Sequence, residues 1–415
     1  MDASLSRRGL LSVAALAAAA SVTGLPRAAA ASGAAPARLR LTLPAPTGPH
    51  PVGTVALRLV DRARRDPWVP SRGRRELMVS VRYPARDVRG YPRAPQMAPG
   101  EAAAYDLASG LGEDLPPGRV DWAATLSHAH TGAPAAGDRL PVVLYSPGAG
   151  DPRTLGTDLC DELASHGYAV VMVDHTHDAG AVEFPNGRVE RTVLFDEYAR
   201  ARKKGPKALV AFLKKVADVR VADARFVLDR LGALPGGLGA RLDPCAIGMF
   251  GQSAGGFAAA QTLHDDRRVR AALNMDGVMG YTQRDDDPSH PSTVATDGVD
   301  RPLLLMGMEG DDHHTVASWG AAWEHSTGWH RDLTLTGAAH ASFTDLQYQV
   351  PQIVRGLGLD DSVRTKNVGS LDPERSVAAQ RAYVRAFFDR WLRGGDPAGL
   401  LDGPSARWPE VRFVA

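Results

Sequence analysis

The chain has 415 residues, 44% of them hydrophobic, with a formal net charge of +1 at neutral pH. That apolar content supports a substantial core, and so small a net charge argues against nucleic acid or a strongly charged surface as the governing partner. Length alone leaves one large domain or two ordinary ones open, and only two cysteines, Cys160 and Cys245, exclude a disulfide framework.

At the N-terminus, Ser6-Arg7-Arg8-Gly9-Leu10-Leu11 precedes an apolar stretch, Val13 to Ala20, and the small-residue site Ala28-Ala29-Ala30. Paired arginines, a short apolar region and such a site predict a twin-arginine-type export signal over residues 1–31, hence a secreted, extracellular protein. The apolar stretch is too short to span ~30 Å of hydrocarbon. Export permits a Cys160–Cys245 bridge. With Cys160 in a predicted helix and Cys245 opening a core strand, two buried thiols are an equal reading. Residues 32–47, rich in Ala and Pro, read as a flexible lead-in.

Strands are expected at 55–60 and 76–83, the second with Leu77, Val79 and Val81 alternating. Residues 84–138 carry Pro, Gly and Ala without clear periodicity and read as an insertion at the mouth of a site. The run Leu140-Pro141-Val142-Val143-Leu144-Tyr145 is a buried strand, followed by a helix at 157–166 and a further apolar strand at 168–174. A second insertion is placed near 178–205. Residues 196–232 form a long amphipathic helix whose lysines (Lys203, Lys204, Lys207, Lys214, Lys215) make a solvated face. Strands follow at 246–250, 270–274, 302–307 and 332–336, then a helix at 373–392. Continuous apolar strands alternating with helices predict an α/β fold, a mostly parallel sheet with helices on both faces.

Gly251-Gln252-Ser253-Ala254-Gly255 lies between the apolar run Ala246–Phe250 and the small-residue start of a helix. In a strand–turn–helix setting, G-x-S-x-G is a nucleophile elbow, which lifts Ser253 Oγ above the sheet. The expected architecture is therefore one α/β-hydrolase domain over residues 48–415. Serine needs a base, and the base a carboxylate, in the chain order Ser, acid, His. His264, His290, His313, His314, His325, His330 and His340 follow the serine. His340, on a loop beyond the last predicted strand, stands where the imidazole belongs. Asp276, Asp311 and Asp312 all follow strands, and order alone leaves the acid open among them. One oxyanion donor is expected from the backbone N–H of Ala254, and the other from the loop after the 140–145 strand.

The sequence resembles the platelet-activating factor acetylhydrolases of plasma and intracellular type and their bacterial relatives. The likeness lies in Pro46-Thr47-Gly48-Pro49-His50-Pro51-Val52-Gly53, Tyr145-Ser146-Pro147-Gly148-Ala149-Gly150, Arg153-Thr154-Leu155 and Leu163-Ala164-Ser165-His166-Gly167-Tyr168. It continues through the elbow, Leu273-Asn274-Met275-Asp276-Gly277 and Ala339-His340-Ala341-Ser342-Phe343-Thr344-Asp345. The resemblance implies a triad of Ser253, Asp276 and His340, with the acid soon after the strand that follows the elbow. It implies the N–H of Ala149 as the second oxyanion donor. Where many relatives carry Ser-His-Gly this chain has Ser146-Pro147-Gly148, and Pro147 has no N–H to give.

Asp174-His175-Thr176-His177-Asp178 and Asp311-Asp312-His313-His314 look like metal ligands but lack H-E-x-x-H geometry. Both read instead as loops at strand ends lining the pocket mouth. The chain thus reads as a serine esterase without metal or cofactor. The family implies short-acyl esters, phospholipid sn-2 esters included, with contact to a membrane surface left open. A lipase- or polyester-hydrolase-like esterase and a non-catalytic binding scaffold are the rival readings. The oligomeric state is not legible.

Overall fold

The computed structural model describes residues 37–108, 114–395 and 399–415; the expected export signal lies outside them. The strands are β1 (Val52–Arg65), β2 (Arg74–Pro84), β3 (Arg93–Pro95), β4 (Leu126–Thr131), β5 (Leu140–Ser146), β6 (Ala169–Asp174), β7 (Ala181–Glu183) and β8 (Val189–Arg191). β9 (Leu242–Gln252), β10 (Val269–Met275), β11 (Leu303–Gly307), β12 (His330–Leu335) and β13 (Val411–Phe413) complete them. Helices are α1 (Pro99–Ala108), α2 (Thr157–Ser165), α3 (Leu194–Lys204), α4 (Pro206–Arg230) and α5 (Ala254–Asp265). They continue with α6 (Thr293–Asp297), α7 (Ala317–His325), α8 (Leu346–Leu357), α9 (Asp361–Val368) and α10 (Pro373–Arg393).

One sheet runs β13-β12-β11-β10-β9-β5-β6-β2-β1-β4-β3. From β6 through β12 the neighbours are parallel, while β2 pairs antiparallel with both β6 and β1. This is the α/β-hydrolase arrangement expected. The apolar strands are continuous because each sheet face is covered. Val142, Leu144, Val171 and Met249 point to one side, against Ala224 and Val227 of α4 and Phe257 of α5. Val143, Tyr145, Val170 and Phe250 point to the other, against Leu163 of α2 and Tyr383, Phe387 and Phe388 of α10.

Three local expectations need correction. The helix anticipated over 196–232 is two, because Gly205 takes φ +97° and Pro206 opens α4 at its N-terminal position. Proline has no N–H and disfavours helix in the residue before it, so the break falls there. Residues 37–47 are packed rather than flexible: Leu39 bridges Val120, and Leu41 and Leu43 are buried. Cys245 is exposed and Cys160 buried, and both are free thiols, so neither a bridge nor a buried pair is present. The 84–138 region supplies α1 and the strands β3 and β4, which extend the sheet beyond β1, and its Met97 and Trp122 pack with Leu41 against Leu346, Val350 and Ile353 of α8. The 178–205 region is the β7–β8 hairpin followed by α3.

The central strand is closed from one side by Phe388. A Cβ at Gly248 of β9 would lie 2.5 Å from the Phe388 ring, so residue 248 has to be glycine for the helix to sit this close. Phe388 also meets the rings of Tyr168, Phe250 and Phe387. Phe388→Ala is expected to cost about 3–5 kcal/mol, read as a lowered midpoint in urea unfolding.

Candidate active site

The parallel register brings several strand ends level. Ser146 of β5 faces Gly251 of β9, Gln252 faces Met275 of β10, and Met275 faces Met306 of β11. The next residue after β9 is Ser253 and the next after β10 is Asp276. Their separation in sequence is closed by register alone.

Ser253 adopts φ +56° and ψ −124°, a conformation that L-residues avoid, and Asp276 also has positive φ (+58°). The Ser253 N–H donates to Met275 O at 2.8 Å, and the Ser253 carbonyl accepts from Phe257 N at 3.0 Å, so strand and helix both hold the turn. The turn is crowded. A Cβ at Gly251 or Gly255 would fall on the Ser146 carbonyl oxygen, and one at Gly256 on Asn274 Oδ1. Ser253 itself stays half-buried, open to a substrate.

Asp276 is buried. Its Oδ1 accepts from Met308 N at 3.1 Å and its Oδ2 from His340 Nδ1 at 2.5 Å. Asn274 pins the turn after it by accepting from Gly277 N and donating to Gly277 O. His340 opens a short 3₁₀ turn, His340–Phe343, tied down by Ser342 Oγ donating to Val368 O at 2.8 Å. With Nδ1 facing a carboxylate, the proton of the neutral ring sits on Nδ1. Nε2 is then the acceptor, and Gln252 Nε2 meets it at 3.1 Å. Burial draws the His340 pKa down, but the hydrogen bond and charge of Asp276, aided by Asp151, more than offset it and leave the imidazole above its ordinary value.

The structure therefore brings Ser253, Asp276 and His340 into one neighbourhood. Asp311 adds a further negative charge that raises the His340 pKa. Asp312 caps its own turn through His314 N and Thr315 N. Within the 311–314 segment His313 is buried, bonded at 2.8 Å to Asp332 and stacked on Trp323, because Asp332 projects from β12 beneath it, while His314 is exposed. His264 bonds Asp265 and Asp297, and His325 and His330 bond backbone carbonyls. Among the described residues no group of three or more His, Cys, Asp or Glu is arranged to hold a metal.

The loop after β5 carries Ala149, half-buried beside the elbow. Ala254 is the first residue of α5, where backbone N–H groups lack intrahelical partners. A Cβ on Gly148 would lie 2.6 Å from Asp151 Oδ2 and 2.4 Å from Gln252 Oε1, so both side-chain ends would have to shift. Asp151 was not singled out from sequence. Burial pushes its carboxyl up to about 6, although His340 and Arg220 pull it the other way.

Beneath this loop lies a second serine–histidine–aspartate chain. Ser146 Oγ is 2.9 Å from His175 Nε2, and His175 Nδ1 is 3.0 Å from Asp223 Oδ2. All three are sealed from solvent, so no substrate reaches them. Asp223 also takes the fork of Arg75, which lowers its pKa against the effect of burial, and Arg75 in turn reaches Asp66. The 174–178 segment is thus internal scaffolding rather than pocket lining. The sequence signal for this network was an arginine on the apolar stripe of α4, Val216-Arg220-Ala224-Val227.

The pattern of platelet-activating factor acetylhydrolase, isoform II, matches residues 121–191. The chain is 30% identical over 393 residues to a probable 1-alkyl-2-acetylglycerophosphocholine esterase of Arthroderma benhamiae, covering 90% of this chain and 93% of that one. It is 24% identical to the platelet-activating factor acetylhydrolase of Bos taurus over 296 residues, 64% of this chain and 63% of that one. Among solved structures, the ferulic acid esterase of Streptomyces cinnamoneus superposes with a TM-score of 0.71 at 37% identity, covering 90% of this chain and 99% of the other.

The elbow strain is measurable. Ser253→Gly relieves a disfavoured φ and is expected to be more stable than Ser253→Ala by about 1 kcal/mol; parallel urea titrations of the two variants check this.

Proposed function

Because this chain belongs to the platelet-activating factor acetylhydrolase family of α/β-hydrolases, a family of carboxylic ester hydrolases, we propose that it is a secreted serine esterase working through an acyl-enzyme. Ser253 attacks the ester carbonyl while His340 Nε2 takes its proton. Asp276 holds the imidazole by Nδ1 and stabilises the imidazolium that forms. The N–H groups of Ala149 and Ala254 receive the oxyanion. His340 then protonates the leaving alkoxide, and water activated by the same base releases the acid.

The single observation that carries this reading is the His340–Asp276 hydrogen bond next to a strained, accessible serine. Gln252 occupies the imidazole Nε2, which Ser253 must reach, so productive binding exchanges that bond for one to the serine. We propose short-acyl esters, phospholipid sn-2 acetyl esters included, as the substrate class. A second reading, hydrolysis of a hydroxycinnamate ester, is favoured by the full-length likeness to the ferulic acid esterase. Export rests on Arg7-Arg8 and the apolar run after them.

A p-nitrophenyl ester series from acetate to palmitate, with methyl ferulate alongside, separates the substrate readings. The short-acyl proposal expects a maximum at acetate or butyrate and weak turnover of ferulate. Ser253→Ala is expected to abolish turnover and Asp276→Asn to lower kcat by about 10³–10⁴-fold. Activity that survives Asp276→Asn would remove Asp276 from the triad.

The pH profile follows from His340. A base is competent only when neutral, so a raised pKa moves the acidic limb of kcat/KM above the ordinary histidine range. Asp151→Asn removes one negative charge that raises it, so that limb moves to lower pH in the variant.

A further inference from the structure

The side chain of Arg220 is wholly buried under the loop that follows β5. Nη1 donates to Pro147 O at 2.5 Å and Nη2 to Gly148 O at 2.9 Å. The other edge of the fork lies on Asp178, Nε to Oδ2 at 2.8 Å and Nη2 to Oδ1 at 2.6 Å. Asp178 Oδ1 also accepts from Gly150 N at 3.2 Å, and Gly150 O accepts from Gly180 N at 2.8 Å. The loop is therefore held on both sides of Ala149 by one ion pair.

Gly148 C=O and Ala149 N–H belong to the same planar trans peptide, so they point in opposite directions. Fixing the carbonyl towards the buried guanidinium aims the N–H away from it, to the substrate side. The cation also polarises that peptide, which strengthens its N–H as a donor in a site of low dielectric. Pro147 supplies no N–H and Gly150 N is taken by Asp178, which leaves the N–H groups of Gly148 and Ala149, both in peptides whose carbonyls Arg220 grips.

We propose that Arg220, with Asp178, is the positioning residue of the oxyanion hole: it acts through the 148–149 peptide and touches no substrate. This rests on the esterase reading and on Ala149 as donor. Lysine cannot replace it, since a point ammonium cannot hold two carbonyls and a carboxylate in one plane.

The test compares wild type, Arg220→Lys and Asp178→Asn on p-nitrophenyl acetate, together with two inhibitors. An alkyl trifluoromethyl ketone forms a tetrahedral adduct on an active-site serine, whereas acetanilide is an unreactive amide with the same acyl group. In both variants kcat is expected to fall about 10- to 100-fold, with KM within about twofold. The ketone's Ki rises by the factor that kcat falls, and inhibition by acetanilide stays as in wild type. Unchanged kcat in folded variants overturns the proposal. So does a common loss in kcat, KM and acetanilide binding, which is what a merely structural ion pair would give. Asp178→Asn keeps shape and an acceptor oxygen, and it decides the matter if Arg220→Lys does not fold. Wild type inert towards both the ester and a fluorophosphonate probe of Ser253 would sink the esterase reading and this role with it. Active wild type with unimpaired variants sinks this role alone.

Discussion

The constraint on which the rest depends is the approach of two backbones at the middle of the sheet. The Ser146 carbonyl, at the end of β5, occupies the space that side chains at residues 251 and 255 would need. Only glycine at both positions lets β9 turn into α5 there, and only with that turn does Ser253 take its strained φ. The same contact sets the loop after β5 against the elbow, so the candidate nucleophile and candidate oxyanion donors are positioned by one steric fact. Register does the remainder, by ending β9, β10 and β11 at the same level.

Such proximity would be costly if the polar groups beneath it were unmatched. Arg75, Asp66, Asp223, His175, Arg220 and Asp178 are all buried, and each has a partner of opposite charge or a hydrogen bond to the chain. Buried ion pairs of this kind contribute little net stability, because desolvation offsets most of the attraction. Their value here is directional. A guanidinium offers donors at fixed angles, and a loop of Pro, Gly and Ala has few other means of holding one conformation.

Much of the candidate site was legible in the sequence because its signals are local. G-x-S-x-G carries its own turn, and Asp276 and His340 each follow a strand within a few residues. The choice of Asp276 over Asp311 and Asp312 was not local; it needed the family likeness, and in the structure it is Asp276 that meets His340 Nδ1. The network under the loop was illegible for a related reason. Arg220 lies some 70 residues from the carbonyls it holds, and nothing in the spacing of α4 says which turn of backbone lies above it. His175 and Asp178 read from sequence as residues of a pocket mouth and are buried, because a strand end predicts where a residue is, not how deeply it is covered. The helix break at Gly205-Pro206 is signalled by the proline itself, although the amphipathic pattern runs continuously across it.

The two ends of the large sheet have a consequence of their own. A sheet of eleven strands has two free edges, each a row of unpaired backbone groups on which another chain could add. Here both terminal strands, β3 and β13, are only three residues long. β3 ends in Pro95, which lacks the donor a new strand would require, and β13 holds Arg412 between its two apolar residues. The longer outer edge of β1, which β4 covers only over Val52–Thr54, carries Arg58, Arg62, Arg64 and Arg65, and such charges disfavour the addition of another strand there.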